Sequence, residues 1–325
     1  MHYLITGGAG FIGSHLVEVC LQQGDMVTVI DDLSTGRFEN VFPYIEQARF
    51  RFVNDSIANE IIFDRLVSEA DVIIHLAAVV GVQLVVRHPV RTIKTNVQAT
   101  ESVLNAALRY QTKVLIASSS EVYGKGTRVP MSEDDDILLG PTNKARWAYA
   151  ASKMLDEFLG LAYWREYGLP VVLFRLFNTV GPRQRGRYGM VIPRFVQQAL
   201  RDEPLTVYSN GMQQRCFCDV RDVVKALVSL ACHSQAPGML FNIGGIEEIT
   251  IKRLAERVLE VTNSVSPITF VPYTQAYGPD FEDIHRRVPD ISRISMLTGW
   301  KPTINLDETL ISVRDYLYKH PESSG

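Results

Sequence analysis

A short apolar strand at the start of the chain runs directly into three spaced glycines, and this feature most restricts the possible fold. The segment reads His-Tyr-Leu-Ile-Thr-Gly-Gly-Ala-Gly-Phe-Ile-Gly over residues 2–13, and a helical pattern continues to about residue 23. Gly7 permits a tight turn, Gly10 lets the backbone approach a pyrophosphate, and Gly13 allows close packing of helix on strand. The N-terminus of that helix would face the phosphates. The segment therefore predicts the first strand–helix unit of a dinucleotide-binding sheet.

Two acidic residues close the second predicted strand, which spans residues 26–30. Asp31 and Asp32 fall where the hydroxyl groups of an adenosine ribose lie, and a carboxylate at that point repels a 2′-phosphate. We therefore expect the cofactor to be NAD rather than NADP.

Tyr149 and Lys153 stand four residues apart in the stretch 148–163, which is rich in Ala, Leu, Met and Glu. Such a stretch is helical, so the two side chains share one face. A nearby ammonium favours the phenolate, and Lys153 is therefore expected to lower the pKa of Tyr149 from its usual value of about 10. A phenolate can take a proton from a substrate alcohol, while the lysine can also hydrogen-bond a cofactor ribose.

Strands and helices alternate through the first half of the chain. Apolar, β-branched strands alternating with helices predict an α/β fold, a doubly wound parallel sheet covered on both faces. The predicted strands are 2–5, 26–30, 49–53, 71–76, 112–117 and 170–175, and the predicted helices are about 12–23, 59–69, 89–109 and 145–167. Beyond residue 177 the elements shorten, with helices at 191–201, 220–232, 250–262 and 306–318 and strands near 205–208, 239–243 and 268–271.

This pattern predicts two domains. Residues 1–177, together with about 219–242, would form a Rossmann domain, and residues 178–218 and 243–325 would form a smaller C-terminal substrate-binding lobe. The acidic run at 133–136 is expected to be a solvated loop.

Composition favours a soluble cytoplasmic enzyme. The net charge is −3 with acids and bases interspersed, which gives no electrostatic argument for nucleic acid or a membrane. The first strand begins at residue 2, so we expect no signal peptide, and no apolar run approaches the ~20 residues of a membrane span. The cysteines have no metal-binding spacing, so we expect no metal and reduced thiols, with Cys216 and Cys218 packed in the core.

The chain as a whole resembles the extended short-chain dehydrogenase/reductase family, in its branch of NAD-dependent nucleotide-sugar epimerases, dehydratases and decarboxylases. The matching motifs occur in family order at 6–13, 31–32, 75–78, 118–124, 149–153, 175–183 and 286–290. The resemblance implies a permanently bound NAD and a nucleoside diphosphate sugar, a UDP-sugar in our interpretation. It also implies a triad of Ser119, Tyr149 and Lys153 that oxidises the sugar at C4, and a homodimer formed through the helices at 89–109 and 145–167.

Three reactions can follow the 4-keto sugar: epimerisation, 4,6-dehydration and decarboxylation of a uronic acid. The pair Ser120-Glu121 stands where dTDP-glucose dehydratases carry Asp-Glu, so the acid that protonates a departing C6 hydroxyl is missing. The pair resembles that of the UDP-glucuronate decarboxylases, although GDP-mannose dehydratases share it. The approach to the tyrosine, residues 140–149, also resembles the decarboxylases. We therefore expect a UDP-glucuronate decarboxylase in which Glu121, through Ser120 or a water, relays the proton to C5.

Alternatives remain open at this stage. A UDP-sugar 4-epimerase is the second interpretation and a 4,6-dehydratase the third. The loop Val79–Val82 is apolar where the decarboxylases have polar residues, which would suit an epimerase. A non-enzymatic NAD sensor usually lacks the tyrosine or the lysine, and both are present here.

The resemblance also implies a set of binding residues by position. Those expected at the cofactor are Gly7, Gly10, Phe11, Ile12, Gly13, Asp31, Asp32, Ser56, Ile57, Leu76, Ala77, Ala78, Asn96, Tyr149 and Lys153. Those expected at the substrate are Asn178, Arg183, Pro193, Thr206, Tyr208, Arg215, Arg286 and Arg287. Arg286 falls where the decarboxylases place an arginine facing a carboxylate or phosphate, and a catalytic role is expected for it. For Thr206 and Tyr208 a structural role is equally compatible with the sequence.

Overall fold

A computed structural model describes residues 1–81, 85, 87–126, 128–186, 189–277 and 284–321. Its strands, in chain order, are β1 His2–Thr6, β2 Met26–Ile30, β3 Phe50–Val53, β4 Val72–His75, β5 Lys113–Ser119, β6 Val171–Leu176, β7 Thr179–Val180, β8 Leu205–Tyr208, β9 Gln214–Cys216, β10 Cys218–Asp219, β11 Leu240–Ile243, β12 Glu248–Thr250, β13 Ile268–Val271 and β14 Arg286–Arg287. The α-helices are α1 Phe11–Gln22, α2 Glu60–Ser68, α3 Pro89–Tyr110, α4 Trp147–Tyr167, α5 Val191–Leu200, α6 Val220–Cys232, α7 Ile251–Thr262, α8 Tyr273–Tyr277, α9 Ser292–Thr298 and α10 Leu306–Lys319.

The central sheet is parallel throughout and has the order β3-β2-β1-β4-β5-β6-β11. The chain starts in the middle at β1, moves outward through β2 and β3, and then crosses back to β4. Because the winding direction reverses between β1 and β4, a crevice opens there at the carboxyl ends of the strands. This order confirms the predicted doubly wound Rossmann fold.

Helices cover both faces of the sheet. In β1, Tyr3 and Ile5 point into a core shared with α1 and α6, whereas Leu4 points into a core shared with α2 and α3. Side chains of successive strand residues point to opposite faces, and both faces are covered here, so β1 is buried from Tyr3 to Thr6.

A smaller core forms from the C-terminal half. Helices α5, α7 and α10 pack together through Phe195, Leu254 and Leu310. Short strand pairings, β8 with β13 and β9 with β12 and β14, connect this part to the edge of the cleft described below. Strand β11 and helix α6 return to the central sheet and its cover. The exact division into two domains stays a prediction.

The acidic run differs from the expectation in one residue. Glu133 is buried, and its Oε1 accepts a hydrogen bond of 2.7 Å from the Asn242 N–H. The carboxylate thus satisfies a buried backbone donor of β11. Cys216 and Cys218 are buried, as predicted. Within the described ranges, no helix has the length and apolar character needed to cross a membrane.

Candidate active site

A cleft of about 900 Å³ follows the carboxyl ends of the central strands. Residues after β1, β2, β3 and β4 line one half of it. The other half lies between the ends of β5 and β6 and the smaller C-terminal core. The expected cofactor residues outside the triad that line it are Gly7, Gly10, Phe11, Ile12, Gly13, Asp31, Asp32, Ser56, Ile57, Leu76, Ala77 and Ala78.

The glycine loop is shaped to receive a phosphate. Gly7 has φ of 72°, in the left-handed region, and the Gly10 N–H closes the turn by donating to the Gly7 carbonyl at 3.1 Å. A Cβ on Gly13 would lie 2.4 Å from the Gly7 oxygen, so only glycine lets α1 begin this close to the turn. Gly10 has no side chain to cap α1, so the first N–H groups of the helix are left for an anion.

The ribose end of the cleft carries two carboxylates. Asp31 is buried and accepts backbone N–H donors from Ala9 at 3.0 Å and Leu33 at 2.9 Å. Burial raises the pKa of Asp31, and these two hydrogen bonds oppose the rise. Asp32 is exposed at the rim and accepts the Ser34 N–H at 2.9 Å. Because both acids line the cleft, this end fits ribose hydroxyls and disfavours a 2′-phosphate.

Ser119, Tyr149 and Lys153 all line the middle of the cleft. Ser119 ends β5 and its Oγ accepts the Glu121 N–H at 3.2 Å, which fixes the turn after the strand. Tyr149 and Lys153 project from successive turns of α4, as their spacing predicts. Lys153 is buried, and its Nζ donates to Asp156 Oδ2 at 3.0 Å.

The expected pKa of Tyr149 was wrong in direction. Burial raises the pKa of this phenol, the Glu121 and Asp156 carboxylates raise it further, and the Ser119 hydroxyl only partly opposes them. The ammonium of Lys153 is directed to Asp156 instead, which explains why proximity in sequence did not acidify the phenol.

A charged cluster lies beside Tyr149 at the sugar end of the cleft. Glu121 accepts from Arg287 Nη1 at 2.6 Å and from Arg146 Nη2 at 3.0 Å. Burial alone would raise the pKa of Glu121, but Arg287, Arg146 and Arg215 together hold it below its usual value. Ser120 lies at the margin, with its Oγ 3.5 Å from Arg287 Nη1. The cluster contains an ionised carboxylate between the buried guanidinium group of Arg146 and the mostly buried one of Arg287.

Comparison with known proteins identifies this arrangement. The model of the NAD dependent epimerase/dehydratase family matches residues 3–244. The chain belongs to this family. It is therefore an enzyme that uses NAD, and the glycine loop and the ribose acids described above fit that cofactor.

Relatives in this family cover nearly the whole chain. The UDP-N-acetyl-alpha-D-glucosaminuronate decarboxylase of Bacillus cytotoxicus is 41% identical over 310 residues, which are 94% of this chain and 94% of that protein. UDP-glucuronic acid decarboxylase 1 of Danio rerio is 37% identical over 319 residues, 98% of this chain and 73% of that protein. The structure of UDP-glucuronic acid 4-epimerase from Bacillus cereus, solved with UDP-glucuronic acid and NAD, has a TM-score of 0.88 at 29% identity and covers 98% of this chain and 99% of that one.

Arg286, an expected substrate residue of this family member, lies outside the cleft. Arg286 is half exposed and makes a two-pronged ion pair with Glu248, at 2.6 and 2.8 Å. The reason is the alternation of β14, which turns Arg286 outward and Arg287 inward toward Glu121. The arginine that faces the cleft is thus Arg287, and the catalytic role expected for Arg286 is corrected accordingly.

Asn96 is another expected contact that lies elsewhere. Its side chain is buried and holds the backbone of Val79 through bonds of 2.8 Å to the N–H and 3.3 Å to the carbonyl. It also donates to Ser152 Oγ at 3.1 Å. Asn96 therefore shapes the loop after β4 from behind. Val79 and Val80 of that loop line the cleft, whereas Val82 lies outside the described residues.

The remaining substrate candidates divide into two groups. Asn178, Tyr208 and Arg215 line the cleft, as does Arg194, which sequence reasoning missed although Pro193 precedes it. Arg194 lies 4.2 Å from the centre of the Tyr208 ring.

The other three substrate candidates do not line the cleft and contact other parts of the protein. Arg183 pairs with Glu18 at 2.8 Å, Pro193 is buried in α5, and the Thr206 hydroxyl accepts from Gln198 at 3.0 Å. These contacts give Arg183, Pro193 and Thr206 structural surroundings, whereas a contact with the nucleotide was expected.

Proposed function

We propose that this family member is an NAD-dependent UDP-hexuronate decarboxylase that acts through a 4-keto sugar. The cluster of Arg146, Glu121 and Arg287 carries the proposal. Two guanidinium groups and one carboxylate leave one surplus positive charge next to Tyr149. A uronate carboxylate neutralises that charge, whereas the neutral C6 hydroxymethyl group of a UDP-hexose does not. Guanidinium groups also suit bidentate recognition of a carboxylate.

The first step is oxidation at C4. Tyr149 takes the proton of the C4 hydroxyl, Ser119 hydrogen-bonds the same oxygen, and the buried Lys153, paired with Asp156, lies one helical turn from Tyr149. NAD, when bound, would supply the oxidant for C4, and its positive charge would favour the phenolate of Tyr149. The high pKa of Tyr149 in its buried surroundings makes this help necessary.

The second step uses the new ketone. The C6 carboxylate is then β to the C4 carbonyl, so the C5–C6 bond breaks, carbon dioxide leaves, and the electron pair passes into the ketone as an enolate. C5 then takes up one proton, and reduction of C4, with the proton returned to its oxygen by Tyr149, completes the cycle. The surplus positive charge of the cluster orients the C6 carboxylate of the sugar before cleavage. Once carbon dioxide leaves, that positive charge no longer has a carboxylate of the sugar to pair with.

This arrangement changes the role of Glu121. A carboxylate held by two arginines stays ionised at neutral pH and has no proton to give to C5. We assign it the task of holding Arg146 and Arg287 at the sugar. The proton for C5 then comes from Ser120 Oγ or from a water beside it.

The relatives support a hexuronate but differ at C2 of the sugar. One is named for a UDP-N-acetylglucosaminuronate and the other for UDP-glucuronic acid. Both substrates should therefore be offered side by side to the purified protein. Loss of carbon dioxide from either, detected by mass spectrometry of the nucleotide sugar, supports the proposal and identifies the C2 substituent.

The alternative is a 4-epimerase, favoured by the apolar Val79–Val80 segment and by the likeness to the UDP-glucuronic acid 4-epimerase. An unchanged mass with inversion at C4 would establish it and overturn the decarboxylase. Loss of water from a UDP- or dTDP-hexose would instead indicate a dehydratase.

We also propose a cytoplasmic homodimer. Helices α3 and α4 pack on each other, yet both carry large apolar side chains on their outer sides: Val90, Ile93, Leu155, Phe158 and Tyr167 are 66, 40, 43, 64 and 54% exposed. Several exposed large apolar side chains on two packed helices favour an interaction site. A second copy of the same helix pair would cover it.

A further inference from the structure

A buried carboxylate faces the catalytic lysine from behind. Asp156 follows Lys153 by one turn of α4, and both side chains are almost completely buried. Asp156 Oδ2 accepts from Lys153 Nζ at 3.0 Å. An ammonium and a carboxylate removed from water together in this way are strongly coupled, because each would be costly to bury alone.

Asp156 differs in its hydrogen bonds from a buried carboxylate that has a structural role. Its second oxygen, Oδ1, is buried and makes no close hydrogen bond among the described residues, and the Thr100 hydroxyl on α3 adds a weaker interaction with the carboxylate. Asp222, at the start of α6, is equally buried but accepts from the Thr303 N–H and hydroxyl and the Ile304 N–H at 2.7 to 3.0 Å. Asp222 thus connects α6 to residues Thr303 and Ile304, whereas the close hydrogen bond of Asp156 is to Lys153.

The neighbouring acid on α4, Glu157, binds a different cation. Glu157 binds Arg175 through two bonds of 2.7 and 2.8 Å and also accepts from Ser118. Lys153 and Arg175 therefore pair with different carboxylates of α4. Glu121, near Tyr149, is likewise held by two arginines.

Asp156 also raises the pKa of the nearby Tyr149 phenol, whereas Thr100 and His75, which face the pair from α3 and β4, are uncharged. His75 at the end of β4 lies 3.4 Å from the Thr100 hydroxyl on α3 and 2.7 Å from the Thr6 hydroxyl. Burial, with a smaller effect of Lys153, lowers the pKa of His75 to about 3, so its imidazole is neutral. Asp156 is thus the anion matched to Lys153.

We propose that Asp156 is a positioning residue for the oxidation at C4: it keeps the buried ammonium of Lys153 charged and directed while Tyr149 exchanges its proton. The inference rests on the proposed roles of Tyr149 and Lys153, and it is independent of whether decarboxylation follows. Neutralising Asp156 leaves an uncompensated buried cation, so the ammonium form is disfavoured.

The first test uses stability and needs no turnover. Thermal unfolding is compared for wild type, Asp156→Asn, Lys153→Met and the double variant. If the two side chains are each other's counterion, each single variant unfolds at a lower temperature and the double variant recovers part of the combined loss. Strictly additive losses would overturn the pairing, and this measurement remains decisive even if the proposed substrate is wrong.

The second test uses the pH profile of kcat/KM with whichever UDP-sugar the wild type converts. In Asp156→Asn, the alkaline limb of the profile should move to lower pH by about 1–3 units. This is the range expected when an opposite charge at this distance is removed. Asp222→Asn is the matched control: it should lower stability and leave the profile in place. A wild-type profile in Asp156→Asn would refute the positioning role, whereas a wild type inactive on every UDP-hexuronate would count against the proposed function alone.

Discussion

Arg287 Nη1 lies 2.6 Å from Glu121 Oε1, although 166 positions separate the two residues in the chain. The neighbouring Arg286 points away and pairs with Glu248. Two adjacent arginines of one short strand thus have opposite surroundings, and only one of them can contact a sugar in the cleft. This contrast provides a matched pair of variants.

Arg287→Gln should greatly reduce decarboxylation, because it removes the charge that orients the uronate and leaves Glu121 with one arginine fewer. Truncating one partner of a buried, hydrogen-bonded charge pair typically costs ~2–5 kcal/mol, so kcat/KM should fall at least tenfold. Arg286→Gln should keep nearly full activity, since an exposed ion pair contributes roughly 0–1 kcal/mol. Steady-state kinetics of the two variants decide the assignment, and equal losses would contradict it.

Tyr149→Phe should abolish oxidation at C4 while the fold and NAD binding stay intact. The phenol hydroxyl is the group that takes the C4 proton, and losing one acid–base group costs roughly 10²–10⁴-fold in rate. Single-turnover absorbance of the bound cofactor after mixing with a UDP-hexuronate measures this step directly. A variant that keeps most of its rate would exclude Tyr149 from the chemistry.

NAD should copurify with the protein or bind tightly, since the reaction returns the cofactor to its starting state. Asp31→Ala should weaken NAD binding and relax the discrimination against NADP, because the carboxylate at the ribose is lost. Asp31 also holds the Ala9 and Leu33 N–H groups, so Asp31→Asn serves as the comparison that preserves part of these contacts. Calorimetric affinities for both cofactors test this, and a wild type that prefers NADP would refute the ribose assignment.

The sequence predicted the features that depend on neighbours along the chain. The glycine loop, the acids after β2 and the spacing of Tyr149 and Lys153 all follow from local geometry, and the structure brings them into one cleft. The direction of Arg286 could not be predicted in the same way. Strand β14 has only two residues, and its register on β9 is set by tertiary pairing.

The role of Asp156 was missed for a related reason. Helix α4 has buried residues on one side and large apolar residues on the exposed side, so its periodicity does not reveal which acids are buried. The unexpected burial of Glu133 has the same origin, since its partner Asn242 lies 109 positions away. A buried polar contact over long sequence separation leaves no local signal.

His75 should make stability depend on pH. The folded chain keeps this imidazole neutral because burial lowers its pKa to about 3, whereas an unfolded histidine titrates near ~6.5. The contribution of His75 to the free energy of unfolding is therefore complete above about pH 6.5. It is lost as the pH falls toward 3, at up to ~1.4 kcal/mol per pH unit. Urea unfolding between pH 7 and pH 4 should show a shallower loss in His75→Gln than in wild type. The exposed His320→Gln should follow the wild-type slope, and identical slopes in all three would contradict the assignment.

The predicted dimer can be tested on α4. Phe158 is 64% exposed on a helix whose opposite side is packed against α3, so a charge there affects the outer face and spares the core. Phe158→Asp should convert the proposed dimer to a monomer, because two carboxylates would face the same apolar contact on both copies. Light scattering at micromolar concentration measures the mass.

The control for this variant is Met296→Asp on α9. Met296 is 82% exposed, so its substitution introduces the same charge at an apolar position away from α3 and α4. It should leave the mass unchanged. If both variants keep the wild-type mass, or if the wild type is a monomer at that concentration, the face formed by α3 and α4 is not the interface between copies of this chain.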